Sequence, residues 1–182
     1  MSNQPRVAKV LAALLISMTV GAVVLMAMSG NAPSAGPFCL SSYCKLDPVE
    51  NAIASEAEQS SSRWNCIEVY FSGTKAGNIE QLASLAGLAS PDQLDCHLVV
   101  YNGLGGQDGQ IQTTHKWQRQ WLVIPSSNWY GTSKTIRVCV IADGTTSLAS
   151  NSQIRRVEAL VEKLSRKFSV EPESIYYPAN WR

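Results

Sequence analysis

Apolar and polar positions divide the chain into three stretches. Residues 10–28 read VLAALLISMTVGAVVLMAM, nineteen positions without a charge. Residues 30–62 are rich in Ser, Ala, Pro and Asn and show no sustained apolar period, which is the composition of a linker; a short helix is predicted around 49–57. From residue 63 onward short apolar runs alternate with helical periodicity, as in a packed domain. The pattern therefore predicts an N-terminal apolar segment (1–29), a linker (30–62) and one domain (63–182).

Within the domain, Cys66-Ile67-Glu68-Val69-Tyr70-Phe71 predicts a strand that ends in the turn Ser72-Gly73-Thr74. Asn78 with Gln81 three residues later is a capping box. It opens a helix in which Ile79, Leu82, Leu85 and Leu88 recur at helical spacing, with Pro91 closing the segment. A second strand over 97–101 runs into the glycine-rich turn 102–106, and Asp108-Gly109 predicts a hairpin into 110–114. Residues 135–141 are almost continuously apolar and predict a central strand. Ser150 and Gln153 form a second capping box, and Ile154, Val157, Leu160, Val161, Leu164 and Phe168 make one apolar stripe behind it. Strands interleaved with helices predict an α/β domain, a mixed central sheet flanked by helices.

The first stretch bears on location. As a helix, residues 10–28 would rise roughly 28 Å, about the hydrocarbon thickness of a bilayer. Arg6 and Lys9 precede the segment and no charge follows until Lys45. The positive-inside rule then predicts a cytoplasmic N-terminus and an extracytoplasmic domain. A cleaved signal peptide is the alternative, with Gly30-Asn31-Ala32 as a small-residue cleavage site, although the apolar run exceeds a usual h-region of about 7–15 residues. Both readings export the domain.

Charge and composition remove other classes. A net charge of +1, from 15 basic and 14 acidic residues, offers no electrostatic footprint for nucleic acid. Five cysteines suit an exported protein, and the odd number leaves at least one without an intramolecular partner. Cys39 and Cys44 are close enough in sequence to bridge, whereas Cys139 lies in an apolar strand as a buried thiol. With no C-x-x-C and only two histidines, the chain is poor in metal ligands.

The order of segments carries a family resemblance. A strand ends in Tyr70-Phe71-Ser72-Gly73-Thr74, and a helix follows it. Then come His97-Leu98-Val99-Val100-Tyr101-Asn102-Gly103, the Asp108-Gly109 hairpin and Lys116-Trp117. The strand Ile136-Arg137-Val138-Cys139-Val140-Ile141, a capped helix and Glu173-Ser174-Ile175-Tyr176-Tyr177 complete the series. From 64 to 177 this resembles the zinc-dependent N-acetylmuramoyl-L-alanine amidases and peptidoglycan recognition proteins.

The resemblance implies a zinc held by two His and a Cys or Asp, which polarises the muramoyl–alanine amide and activates water, assisted by a Tyr. The first zinc His falls on Tyr70 in this chain, with Phe71 beside it. The catalytic Tyr falls on Cys96, ahead of His97-Leu98. The second zinc His belongs where the sequence has Tyr176-Tyr177, and no Cys or Asp lies between 178 and 182. The resemblance thus implies a frame without its zinc, and with neither a catalytic residue nor a cofactor.

Other residues refine that expectation. His97 reads as a core or hydrogen-bonded residue and His115 as a solvated or groove-lining one. Cys96 lacks a base on its own side, because neighbours on a strand point to opposite faces. Glu68 and Arg137 interrupt apolar strands, and we expect them to pair across neighbouring strands, since an unpaired buried charge is costly. Trp117, Trp121, Asn128, Trp129 and Tyr130 are the candidate ligand groove, offering aromatic faces and an amide to sugar or peptide stems. Three functions are compatible with the sequence: a non-catalytic peptidoglycan-binding or scaffold domain, an amidase with a relocated site, and a protein-interaction domain of the cell envelope.

Overall fold

The computed structural model describes residues 9–12, 14–20, 46–124 and 131–181. The chain forms two compact units, Met1–Ser42 and Tyr43–Arg182. In the first, residues 9–12 and 14–20 are helical. No helix among the described residues is long and apolar enough to cross a membrane. Residues 21–28 of the apolar segment lie outside the described residues, as do Cys39 and Cys44.

The second unit is a five-stranded sheet flanked by helices. Its elements are α1 (Val49–Ala52), β1 (Cys66–Phe71), α2 (Ile79–Leu85), β2 (Leu98–Val100), β3 (Ile111–Thr113), α3 (His115–Gln118), β4 (Thr135–Val140), α4 (Asn151–Phe168) and β5 (Ile175–Tyr176). The strand order is β3-β2-β4-β1-β5. β4 pairs parallel with β1 and β2, β5 pairs parallel with β1, and only β3 runs antiparallel. The sheet is therefore mixed, with 135–140 central as its apolar run predicts.

Both capping boxes form. Asn78 accepts from the Gln81 N–H while Gln81 accepts from the Asn78 N–H, and Ser150 and Gln153 do the same for α4. Gln153 does more than its motif foretells. It is fully buried, and its Nε2 donates to the carbonyls of Val100 and Ile141, both at 3.1 Å, tying the helix start to the ends of β2 and β4. The helix α2 stops earlier than its apolar spacing suggests, at Leu85, because Gly87 takes a left-handed φ of 68°. Leu85 is accordingly exposed, and Pro91 opens a 3₁₀ turn instead. The Asp108-Gly109 hairpin is present, with Gly109 at φ 79°.

Two apolar clusters sandwich the sheet. On one face Val157, Leu160, Val161, Leu164 and Phe168 of α4 pack on Ile67, Val69, Ile136, Val138, Leu98 and Val100. On the other, Ile79, Leu82 and Ala83 of α2 pack on Val99, Tyr101, Cys139 and Ile141.

Two sequence-based expectations change here. Part of the expected linker is core: Val49 and Ile53 are buried in the α4-side cluster, and Ala57 N–H donates to the Gln118 carbonyl. Their apolar side chains are too few and too irregularly spaced to register as a pattern, yet they fill the space beside α4. Trp117, expected in a ligand groove, is fully buried. Its ring lies 6.3 Å from both Trp64 and Phe168, and its Nε1 donates to Ala54. A bulky indole on a four-residue helix is drawn into the core because burying it removes a large apolar area from water.

Candidate functional site

The α2-side face of the sheet carries the polar chemistry. Parallel pairing sets Glu68 beside Arg137 and Tyr70 beside Cys139. Side chains two apart on a strand share a face, so Glu68 and Tyr70 of β1 meet Arg137 and Cys139 of β4. The Arg137 Nε donates to Glu68 Oε2 at 2.7 Å, with the two side chains only 7% and 5% exposed. The expected charge pair therefore exists and is buried. Arg137 also donates through Nη1 to the Asp95 carbonyl at 2.7 Å, and its guanidinium carbon lies 4.1 Å from the centre of the Tyr70 ring. One cation thus serves a carboxylate, a carbonyl and an aromatic face, which offsets its desolvation.

The Asp95 contact draws the chain just before β2 over this face. Cys96 joins the α2-side cluster although Leu98, two residues on, packs on the α4 side, so strict alternation fails ahead of the strand. The outcome is a buried group of Tyr70, Cys96 and Cys139. Interaction with Cys139, and then with Tyr70, lowers the Cys96 pKa despite burial. Interaction with Cys96, and then burial, holds Cys139 well above the ordinary thiol range. Burial, with the neighbouring thiols, pushes the Tyr70 phenol well up.

His97 sits on the opposite side. The Arg137 N–H donates to its Nδ1 at 3.0 Å, so the ring proton belongs on Nε2, which donates to the Trp121 carbonyl at 3.0 Å. Trp64 and Trp117 meet the ring edge-on at 4.8 and 6.2 Å. Burial lowers its pKa to about 4. Both nitrogens are occupied by backbone, as expected of a core histidine. His115 is exposed and pairs with Asp92 at 2.7 Å.

The five positions that the resemblance aligns with the family's chemistry separate in space. Tyr70 and Cys96 come together, and the β5 register sets Tyr176 beside Glu68. Phe71 and Tyr177 instead flank Trp181, with ring centres 6.1 and 5.5 Å from it. Tyr177 and Trp181, together with Glu158 and Ala179, line a cavity of about 360 Å³. Asn180 holds this C-terminal segment in place by donating to the Gly144 carbonyl at 3.2 Å. The buried Trp181 N–H finds no acceptor among the described residues.

Trp121 is 53% exposed, whereas Trp117 is fully buried. Asn128, Trp129 and Tyr130, the rest of the expected groove, lie outside the described residues. Three participants escaped the sequence reading: Cys139 as a partner of Cys96, and Trp181 and Glu158 in the cavity. The Arg137–Cys139 spacing of two was the available signal for the first; for the others there was none.

Among the described residues, the position that the resemblance aligns with the first zinc ligand is a tyrosine, Tyr70. Where the resemblance calls for imidazole there is a phenol with a raised pKa, and a guanidinium rests against its ring. Among the described residues no three His, Cys, Asp or Glu side chains converge as a metal site would require.

No protein-family model matches the chain, and a comparison with curated proteins found no match. Among solved structures, it is similar to the N-acetylmuramyl-L-alanine amidase AmiD from E. coli, solved with the substrate anhydro-N-acetylmuramic acid-L-Ala-D-gamma-Glu-L-Lys. That match has 14% identity and a TM-score of 0.46, and covers 66% of this chain and 50% of AmiD. The chain thus spans about half the length of that protein. The endolysin N-acetylmuramoyl-L-alanine amidase LysCS from Clostridium intestinale URNW is similar at 14% identity and a TM-score of 0.44, covering 71% of this chain and 78% of LysCS.

Proposed function

We propose that this chain is a membrane-tethered, non-catalytic domain of the muramoyl-alanine amidase type, which binds peptidoglycan on the extracytoplasmic side. The observation that carries the reading is Tyr70. It stands next to last in β1, where the resemblance places a zinc ligand, and its surroundings (a guanidinium over the ring and two buried thiols) suit a structural residue better than a metal ligand or a base. Tethering is supported by the nineteen uncharged residues 10–28 with Arg6 and Lys9 ahead of them.

The binding surface in this reading is the cavity at Tyr177 and Trp181. Aromatic faces there suit the apolar faces of sugar rings or the methyl groups of a stem peptide, and the Glu158 carboxylate suits hydroxyl or amide donors.

The test is sedimentation of the purified protein with insoluble peptidoglycan, run beside a muropeptide hydrolysis assay with and without chelator. Binding that falls several-fold in Tyr177→Ala, with no hydrolysis in either condition, is the expected result. Chelator-sensitive hydrolysis with stoichiometric zinc would overturn the non-catalytic reading. A second reading, docking of another envelope protein, is favoured by the exposed run Trp121, Leu122 and Ile124 at 53%, 42% and 84%. Failure to sediment with peptidoglycan would shift the assignment there.

A further inference from the structure

We infer that the exposed run Trp121, Leu122 and Ile124 is a lipid-contacting surface that lays the domain on the anionic headgroups of the bilayer tethering it. The inference rests on the tethering reading above, and it gives this run a lipid partner in place of the protein considered there.

The chain holds the run outward from a fixed base. After α3 the backbone turns at Gln120, whose φ of 52° is a left-handed conformation that residues with side chains seldom adopt. Gln120 itself is buried. Its Oε1 accepts from Trp64 Nε1 at 2.7 Å, and its Nε2 donates to the Trp117 carbonyl at 2.8 Å. Arg63 Nε donates to the Gln120 carbonyl at 3.1 Å. One position on, the Trp121 N–H donates to the Lys116 carbonyl at 2.8 Å, and the Trp121 carbonyl accepts from His97 Nε2 at 3.0 Å. Val123 is buried as well. The backbone and the inward side chains are thus fastened to the core, while Trp121, Leu122 and Ile124 are left in solvent. Other exposed aliphatic side chains of the described domain, Leu85, Leu104 and Leu148, stand singly along the chain, as on any protein surface. Three large apolar side chains within four positions mark a contact site.

The neighbouring charges favour a lipid. An indole suits the headgroup level, with its N–H toward water and its rings toward the acyl chains, and Leu and Ile suit the acyl boundary below it. Basic side chains border the run. Arg119 is 64% exposed, Arg63 clamps Gln120, and the exposed Lys134 accepts through its carbonyl from the N–H of Asn65, two residues beyond Arg63. Glu56, 4.0 Å from Arg119, offsets one of the three. The balance is positive, which an anionic leaflet attracts.

Three apolar side chains alone hold a bilayer weakly. The tether supplies the rest. The 17 residues 29–45 join the apolar segment to the domain, and even fully extended they span at most about 60 Å. The bilayer is therefore always within reach, and a weak contact with it becomes intramolecular. A freely diffusing protein partner has no such advantage.

The test uses the full chain reconstituted in vesicles of phosphatidylcholine and phosphatidylglycerol at 3:1, with bromine on the acyl chains near the headgroups. Bromine is expected to quench part of the tryptophan emission, and that part should be missing from Trp121→Phe. Leu122→Glu with Ile124→Glu should reduce it several-fold with an unchanged far-ultraviolet circular dichroism spectrum, since both side chains are exposed. Phosphatidylcholine alone should also reduce it several-fold. Equal quenching in the wild-type chain and Trp121→Phe would overturn the inference, and quenching unchanged in phosphatidylcholine alone would overturn the choice of anionic headgroups. An alkaline carbonate wash reads the tether separately. A carbonate-resistant chain without Trp121 quenching overturns the lipid surface and leaves the tether standing. Trp121 quenching in a chain that carbonate strips from the vesicles supports the surface and counts against the tether, and a chain with neither property overturns both.

Discussion

The two faces of the central sheet are built on different terms. The α4 side is mostly apolar: Leu160, Leu164, Ile67, Ile136, Val138 and Val140 are fully buried and need only shape and area. The α2 side holds a carboxylate, a guanidinium, a phenol and two thiols within the same sheet, and each needs a partner. An apolar face tolerates substitution in proportion to the volume lost. A polar buried face fails abruptly, because deleting one member strands another away from water.

The largest expected effect tests this contrast. Arg137→Leu leaves the Glu68 carboxylate buried without its cation, and by the cost of breaking a buried pair it should destabilise by about 3–5 kcal/mol in chemical denaturation. Glu68→Leu with Arg137→Leu should recover much of that loss. A double variant as unstable as the single one, or more so, would show that the two charges are not coupled. On the apolar face, Leu164→Ala should cost about 2–5 kcal/mol, with no second substitution able to rescue it by charge.

His97 lies on the α4 side, where its ring accepts from the backbone N–H of Arg137. Its folded pKa of about 4 lies below the ordinary 6.5, so between these values the unfolded chain binds more protons. Stability therefore rises with pH across that window. It is fully present above pH 6.5 and falls by up to about 3 kcal/mol as pH drops to 4. Denaturation midpoints in His97→Gln should lose most of this slope, and a slope that persists unchanged would assign it to carboxylates instead. Gln153→Ala removes a cap and two strand-end bonds and should cost about 1–3 kcal/mol. The smallest effect is at the other histidine. His115→Ala, at an exposed ion pair, should stay within about 0.5 kcal/mol when measured the same way.

How much of this was legible in the sequence depends on the range of the interaction. The capping boxes at Asn78 and Ser150, the apolar stripe of α4 and the central position of β4 follow from residues within a few positions of each other. The Glu68–Arg137 pairing was legible too, because two charges in apolar strands constrain each other's positions. Trp117 was misplaced because a tryptophan in a polar stretch gives no sign of which side it faces. The Val49 and Ile53 packing was missed because two apolar residues set no period.

The sequence by itself determined the two capped helices, the strands β1 to β4 and the poverty in metal ligands, since these depend on local hydrogen bonding, on spacing and on which side chains exist. Only the tertiary structure decided which of those side chains meet. It separated Tyr70 and Cys96 from Phe71 and Tyr177, gathered Tyr177, Trp181 and Glu158 around one cavity, and set Cys139 beside Cys96. Strand register and the turn of the chain over the sheet before β2 fix those meetings, and both arise from contacts between residues far apart in the sequence.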